Sequence, residues 1–277
     1  MTDFSRNPAS ALIRTSGRWW RAALWDAKRE GGITDMADKV LLVGDGPLAE
    51  ETAAFFREKK VEVWSLEQAR EKAVPDIAAV IDGVSGPADW KKEGLRQAEA
   101  LVFEQVPIFT SALYTCAAQA ASWLNHPQRV AGFSPLCLRE MKTVEISRPL
   151  QAEEDSGWTA RLACWERWGK SVEVVGDEPG LVFPRTLALM VNESAYVLTE
   201  KAASAKDIDT AMKKGTNHPR GPLEWADRIG VDQVGWILKG LFEELGEDRY
   251  RPAPLIRKMI YANRLGRSTG RGFHRYR

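Results

Sequence analysis

The chain has 277 residues, of which 44% are hydrophobic and 28% charged, and its formal net charge is +1. This composition is typical of a folded globular protein and excludes an intrinsically disordered chain, while the length predicts one large domain or two ordinary ones. No apolar run approaches the roughly 18 residues that a membrane-spanning helix needs, so we do not expect an integral membrane protein.

The cysteine content indicates the cellular compartment. Cys116, Cys137 and Cys164 are the three cysteines of the chain. Their odd number and their spacing argue against a disulfide framework and against a zinc site. We therefore expect a reducing, cytoplasmic environment and no metal.

The first 38 residues form a segment of their own. They contain several arginines but no apolar run long enough for a secretory signal. The acidic residues Asp3, Asp26 and Glu30 argue against a transit peptide. We expect either a loosely attached, disordered extension or the product of an upstream start, with Met36 as the natural first residue.

A strand, a glycine turn and a helix follow one another between residues 40 and 60. The apolar run 40–43 is typical of a strand buried on both faces of a parallel sheet. The next residues fit the pattern G-x-G-x-x-A, in which glycines permit a tight turn and let the backbone approach a pyrophosphate at the helix N-terminus. This pattern predicts a dinucleotide site at Gly44, Asp45, Gly46, Pro47 and Leu48.

A second strand is predicted at 61–66, directly before Glu67. Glu67 comes 23 residues after Gly44, close to the offset of about 20 at which an acidic side chain binds the ribose hydroxyls of NAD. Because a carboxylate there repels a 2′-phosphate, the sequence favours NAD over NADP as the cofactor.

The remaining pattern predicts an α/β fold followed by helices. Further strands are expected at 76–84 and 106–110, with a helix at 89–101 between them, and this alternation is typical of a doubly wound parallel sheet. After residue 182 no strand pattern occurs, and helices are predicted at 186–200, from Ser204, at 231–245 and at 255–264. We therefore predict a Rossmann-like domain at 39–178 and an all-α domain at 179–277.

The second half contains a series of distinctive blocks. They are Asp207–Met212, Asn217–Leu223, Asp227–Gly230, Glu243–Gly246, Tyr250–Pro252 and Gly266–Phe273. In order and spacing, across about 179–276, they resemble the C-terminal domain of 3-hydroxyacyl-CoA (3-hydroxybutyryl-CoA) dehydrogenases, and the first half is similar to the same family through more scattered matches.

The resemblance implies an activity, a cofactor and an assembly. Members of this family oxidise the 3-hydroxyl of a fatty acyl-CoA with NAD, and many are homodimers joined through their helical domains. Residues 249–277 carry nine Lys and Arg and no acid, a charge that would suit nucleic acid. Because these bases lie within blocks that match the family's folded C-terminus, we expect an acyl-CoA ligand and no nucleic acid.

The sequence departs from the family at its catalytic positions. Ser134 stands where the family has the His that acts as the general base, and Pro184 stands where it has a substrate-binding Asn. The family's substrate-binding Ser is replaced by Tyr114 or Thr115, whereas the Glu partner of the His is retained as Glu145. The candidate catalytic residues are therefore Glu145, Ser134 and Tyr114.

Two further features bear on activity. The chain passes from Glu67 to Asp76 with one short helical segment, where the family inserts a helical hairpin that helps to hold CoA. His126, His218 and His274 lie outside the family's base position. Losing a general base typically costs about 10²–10⁴ in rate.

Two functions remain open on the sequence alone. The first is a divergent NAD-dependent 3-hydroxyacyl-CoA dehydrogenase with impaired or altered catalysis. The second is a non-catalytic paralogue that keeps NAD binding and has a regulatory or scaffolding role.

Overall fold

The computed structural model of the chain describes residues 39–71 and 77–276. These described residues pack as one compact unit. The predicted extension of residues 1–38 lies outside the described residues.

The described residues form one seven-stranded sheet in the order β2-β1-β3-β4-β5-β6-β7. The first five strands along the chain are parallel, β6 is antiparallel to β5, and β7 is parallel to β6. The predicted parallel sheet is thus confirmed for five strands, and two reversed strands extend it. The strands are β1 (Lys39–Val43), β2 (Glu62–Trp64), β3 (Ile77–Asp82), β4 (Ile108–Ser111), β5 (Val130–Phe133), β6 (Thr143–Ser147) and β7 (Ser171–Val175).

Helices flank the sheet and then continue without further strands. The helices of the sheet part are α1 (Gly46–Glu58), α2 (Leu66–Glu71), α3 (Ala88–Leu101), α4 (Ala117–Ala121) and α5 (Trp158–Arg167). The helical part comprises α6 (Phe183–Thr199), α7 (Ala205–Gly215), α8 (Pro222–Ile229), α9 (Val231–Leu245) and α10 (Pro254–Tyr261). This confirms the predicted α/β architecture followed by helices.

Helix α6 begins at Phe183, three residues before its predicted start, and three other predicted element ends are wrong for a local reason. The predicted second strand 61–66 ends at Trp64, because Ser65 and Gln68 begin α2 with reciprocal side-chain caps. The predicted third strand to residue 84 ends at Asp82, whose Oδ1 accepts the Val84 N–H at 2.9 Å in a turn. Helix α10 ends at Tyr261 instead of residue 264, because Asn263 adopts a left-handed φ of 51°.

Three apolar clusters hold these layers together. One face of the sheet packs around Trp165, which contacts the rings of Phe109 and Phe133. The other face packs around Leu41, Val80 and residues of α3. The third cluster joins α6, α9 and α10 to Leu48, Leu113 and Leu136 of the sheet part, so the helical part lies against the segments that follow β1, β4 and β5.

This topology brings the predicted site segments to one edge. Because β1, β3, β4 and β5 are parallel, the residues after them emerge at the same edge of the sheet. Strand β6 runs the other way, and Ile146 pairs with Phe133 at the end of β5. Thr143 and Glu145 therefore project beyond the end of β5 at this edge.

Candidate functional site

The glycine turn between β1 and α1 has the shape that a phosphate site needs. Gly44 has a φ of 101°, and a Cβ there would overlap the side chain of Val84, so this close approach requires glycine. Gly46 has a φ of 87° and no neighbouring atom within 4 Å of where its Cβ would lie. The backbone is thus exposed to open space at this position.

The backbone N–H groups at the N-terminus of α1 have no side-chain cap. Asp45 precedes the helix, but its side chain does not cap the backbone N–H groups, and Pro47 occupies a first-turn position that needs no N–H. Leu48 is buried against the helical part. Uncapped N–H groups at a helix N-terminus attract anions, so these residues fit the diphosphate of a dinucleotide.

Glu67 occupies a different place from the predicted one. It was expected at the end of the second strand, but it lies in the first turn of α2, and its side chain is exposed. The end of β2 is marked by Ser65, whose hydroxyl accepts the N–H of Gln68 at 3.2 Å. A ribose contact of Glu67 therefore stays a prediction and would be made from a helix.

A cavity of about 300 Å³ brings Ser134 and Glu145 together. Ser134 follows β5, and its backbone N–H donates to the carbonyl of Glu145 at 3.2 Å. The Ser134 side chain is 7% exposed, and among the described residues its hydroxyl has no hydrogen-bond partner. The walls include the apolar side chains of Leu136, Met141, Val182 and Phe183. Two of the three predicted catalytic residues therefore line one pocket.

The carboxylate of Glu145 is already occupied. It accepts the backbone N–H of Val182 at 3.1 Å and that of Phe183 at 2.9 Å, at the beginning of α6. Pro184 follows in the first turn of that helix, where its missing N–H leaves no gap in the hydrogen bonding. Glu145 thus links β6 of the sheet part to the first helix of the helical part.

Sequence analysis missed Glu173, the second carboxylate in the cavity. Glu173 of β7 is the register partner of Glu145, and parallel neighbours lie about 4.8 Å apart on the same face of a sheet. Within the part of the chain that the structure describes, its side chain makes no hydrogen bond or ion pair. Only the pairing of β6 with β7 reveals this neighbour, so no local pattern could have indicated it.

Tyr114 is placed at the joint between the two parts of the molecule. The cavity that holds Ser134 and Glu145 is not lined by Tyr114. Its hydroxyl donates to the Glu243 carboxylate of α9, and burial, together with this acceptor, raises the pKa of Tyr114 well above its ordinary value. Its main chain lies against Gly240 so closely that a Cβ at that position would overlap it.

A buried ion pair lies at the ends of β3 and β4. The ammonium of Lys91 lies 3.4 Å from Oδ2 of Asp82, and it donates to the Thr110 hydroxyl at 3.0 Å and to the Ser111 carbonyl. Both charged side chains are at most 1% exposed, and burial is the main cause that lowers the pKa of Lys91. Lys91 shares a helix face with the buried Leu95 and Ala98, and this spacing could have indicated from the sequence that Lys91 is buried.

The histidines lie elsewhere. Nε2 of His126 lies 3.6 Å from Oε1 of Glu104, and Nε2 of His274 lies 2.7 Å from Oδ2 of Asp209. Neither histidine lines the cavity. Within residues 39–71 and 77–276, no three His, Cys, Asp or Glu side chains are grouped to hold a metal ion. None of the helices in that part of the chain has the length and apolarity to cross a membrane.

Comparisons with known proteins define the class. Residues 180–276 match the family model of the 3-hydroxyacyl-CoA dehydrogenase C-terminal domain. A probable 3-hydroxybutyryl-CoA dehydrogenase of Bacillus subtilis (strain 168) is 42% identical over 161 residues, which cover 57% of this chain and 55% of that protein. The 3-hydroxybutyryl-CoA dehydrogenase of Clostridioides difficile is 34% identical over 205 residues, covering 73% and 72%.

The fold agrees with these sequences. The crystal structure of (S)-3-hydroxybutyryl-CoA dehydrogenase from Ralstonia eutropha has a TM-score of 0.68 at 27% identity and covers 87% of this chain and 99% of that chain. The chain spans about half the length of the curated relatives that match it at 40–43% identity.

The fold defines the class: a Rossmann-like, mostly parallel sheet followed by a helical part. The chain belongs to the 3-hydroxyacyl-CoA dehydrogenase family. This confirms the resemblance that the sequence blocks carry.

Proposed function

We propose that the protein is an NAD-dependent 3-hydroxyacyl-CoA dehydrogenase-like oxidoreductase of fatty acid metabolism, with impaired or altered catalysis. The observation that carries this proposal is the cavity shared by Ser134 and Glu145 at the edge where β1 presents its glycine turn. The position of this cavity, together with the family to which the chain belongs, supports a site there for the acyl end of an acyl-CoA.

The cofactor of this proposal is NAD. The residues that would hold its diphosphate are those of the turn Gly44–Leu48, because they offer open space and uncapped N–H groups. Glu67 is the proposed ribose ligand. A bound nicotinamide ring supplies the hydride acceptor of the reaction.

The proposed impairment follows from three residues. The Ser134 hydroxyl cannot act as an unassisted base near pH 7, since the pKa of an aliphatic hydroxyl is far too high. The Glu145 carboxylate is engaged by two backbone N–H groups of α6. Pro184 has no amide with which to bind a substrate oxygen.

If the protein turns over substrate, Glu173 is the candidate proton acceptor. Its carboxylate lines the same cavity, and no described side chain or backbone group binds it. In that role it would take the hydroxyl proton of the substrate, while Ser134 would hydrogen-bond the same oxygen. This is the altered catalysis that the proposal includes.

The second candidate is a non-catalytic NAD-binding paralogue with a regulatory or scaffolding role. The helix cap made by Glu145 favours this second candidate, because it gives Glu145 a structural role that does not depend on catalysis. Both candidates predict NAD binding, a homodimer formed through the helical part and a cytoplasmic location.

Two measurements on the full chain test these proposals. Calorimetry measures NADH binding, and NADH absorbance at 340 nm measures reduction of acetoacetyl-CoA. We expect NADH to bind and turnover to be slower by about 10²–10⁴ than in family members that have the His. Turnover as fast as theirs would refute the impairment. Binding without turnover would favour the paralogue, and absence of NADH binding would refute both candidates.

A further inference from the structure

The last segment of the chain, Gly266–Tyr276, is folded around one buried carboxylate. Asp227 of α8 is 1% exposed and accepts the backbone N–H groups of Phe273 and His274, each at 2.8 Å, and the Tyr276 hydroxyl at 3.0 Å. A Cβ at Gly272 would overlap this carboxylate. These contacts hold the backbone of the segment against α8.

The second acid next to this segment also points inward. Asp209 of α7 is 1% exposed, and it binds the ring of His274 at 2.7 Å and the N–H of Leu223 at 2.9 Å. Both carboxylates are thus used by groups in the interior. Neither is available to neutralise the arginines on the outer side of the segment.

Three exposed arginines, Arg264, Arg271 and Arg275, lie near one another at this end of the structure. Arg271 is bridged to Gly266 on one side and to Arg275 on the other. Opposite residues in an antiparallel pair have Cβ atoms about 5 Å apart, and like charges at such positions destabilise the pair. The positive charge of Arg264 is the first cause that lowers the pKa of Arg271, followed by burial and by Arg275.

These three charges are unpaired. Over the described ranges 39–71 and 77–276, no carboxylate lies within ion-pair distance of Arg264, Arg271 or Arg275. The nearby Arg249 and Arg251 differ, because Glu247 and Asp248 bind them. The described residues thus place Arg271 and Arg275 of the segment, and Arg264 just before it, near one another without a carboxylate partner.

We propose that Arg264, Arg271 and Arg275 form a binding site for a small phosphate-bearing anion. Guanidinium groups donate in a planar fork that matches phosphate oxygens, and such charge-assisted bonds are the stronger class of hydrogen bond. A bound phosphate removes the mutual repulsion of the cluster. The three charges form a small cluster within 12 consecutive residues, 264–275, which fits a compact anion better than the extended backbone of a nucleic acid. The anion is either free phosphate or pyrophosphate, or the phosphate ester of a nucleotide.

The test compares two variants of the full chain with equal charge loss. R271Q/R275Q removes the bridged pair, and R257Q/K258Q removes two exposed bases of α10 that have no ion pair among the described residues. Calorimetry at low salt measures the binding of pyrophosphate and of adenosine 3′,5′-bisphosphate. The melting temperature without ligand is recorded for each protein.

We expect the unmodified protein to bind at least one probe, with an affinity that falls as salt is added. We expect R271Q/R275Q to bind at least about tenfold more weakly and R257Q/K258Q to stay within about twofold. Without ligand, R271Q/R275Q should melt at the same or a higher temperature, because a repulsion is removed. Tighter binding of the bisphosphate than of pyrophosphate indicates a nucleotide, and the reverse indicates a free anion.

Five results would overturn the proposal, and the first four concern binding and stability. They are absence of binding to either probe, equal losses in the two variants, a lower melting temperature of R271Q/R275Q, and an affinity for oligonucleotides that exceeds both probes and grows with length. Dissociation of a dimer by R271Q/R275Q alone would also overturn it, since a second copy of the chain would then be the partner of this surface.

Discussion

The carboxylate of Glu145 in β6 accepts the backbone N–H of Phe183, the first residue of α6, at 2.9 Å. A negative charge at this end of a helix is favourable, because the first N–H groups have no partner within the helix. Glu145, which the resemblance matches to the Glu beside the family's catalytic His, therefore has a structural task in this chain. That task predicts an effect on stability.

Replacing Glu145 with Ala should lower the free energy of unfolding by about 1 kcal/mol, within the range of about 0.5–2 kcal/mol seen for lost helix caps. Urea unfolding followed by circular dichroism measures this loss. Glu173→Ala is the matched control, because its carboxylate has no described partner, and it should change stability by less than about 0.5 kcal/mol. Equal effects of the two substitutions would contradict the capping role.

Ser134→His should increase the reduction of acetoacetyl-CoA by NADH. An imidazole at this position restores a group whose pKa lies near neutral, and the cavity of about 300 Å³ has room for it. We expect a gain in kcat of about tenfold or more, measured at 340 nm. Ser134→Gln, which fills similar space without a titratable group, should give no gain, and an equal gain there would show that volume alone matters.

Glu173→Gln should strongly reduce any turnover of the unmodified protein that depends on a carboxylate base. The amide keeps the size of the side chain but cannot accept the hydroxyl proton, and the expected loss in kcat is about 10²-fold. Glu178→Gln, at an exposed position after β7, serves as the control. Activity that survives Glu173→Gln unchanged would assign the base to another group.

The glycine turn can be tested by two substitutions that cause the same strain. Gly46 and Gly246 both have positive φ, 87° and 68°, and neither has an atom within 4 Å of where a Cβ would lie. Alanine should therefore strain both backbones to a similar degree. We expect Gly46→Ala to weaken NADH binding about tenfold, because its Cβ enters the proposed diphosphate space, and Gly246→Ala to leave it unchanged. Calorimetry that gives the same affinity for both would place the diphosphate elsewhere.

The Tyr276 hydroxyl predicts a specific dependence of stability on pH. Burial, and then the charge and hydrogen bond of Asp227, raise the pKa of Tyr276 from 10.0 to about 12. Between these values the folded chain keeps a proton that the unfolded chain has lost, so the free energy of unfolding falls as pH rises from 10 to 12.

Tyr276→Phe should remove this contribution. The unmodified protein should be more stable than Tyr276→Phe by about 1 kcal/mol near neutral pH, and the difference should shrink as pH rises from 10 to 12. Urea unfolding at a series of pH values measures it. Tyr261→Phe is the control, because that ring is 83% exposed, and its stability difference should not change across the same interval.

Most of the fold could be predicted from patterns of neighbouring residues in the sequence. The strand, glycine turn and helix from β1 to α1 are written in consecutive residues, and α9 has the bounds that its apolar spacing predicts. The end of β2 was misjudged because the apolar run continues through Leu66, although the side chains of Ser65 and Gln68 already cap a helix. A pair of capping side chains three positions apart can thus end a strand within an apolar run.

The candidate site depended more on distant contacts. The bond between Glu145 and Phe183 joins residues 38 positions apart, and the neighbour relation of Glu145 and Glu173 exists only through the pairing of β6 with β7. No local pattern encodes either relation. The resemblance to the family could indicate that Glu145 was kept, but not that its carboxylate caps a helix.

The contact between Gly240 and the main chain of Tyr114 limits how the molecule can change shape. Side-chain contacts can be remade by changes of rotamer, but this contact is made by backbone atoms against a helix surface. We therefore expect the loop after β4 and helix α9 to keep their separation when the molecule moves. We expect any movement of the helical part relative to the sheet, for example on ligand binding, to pivot about this contact. The segments farthest from the contact would then move most.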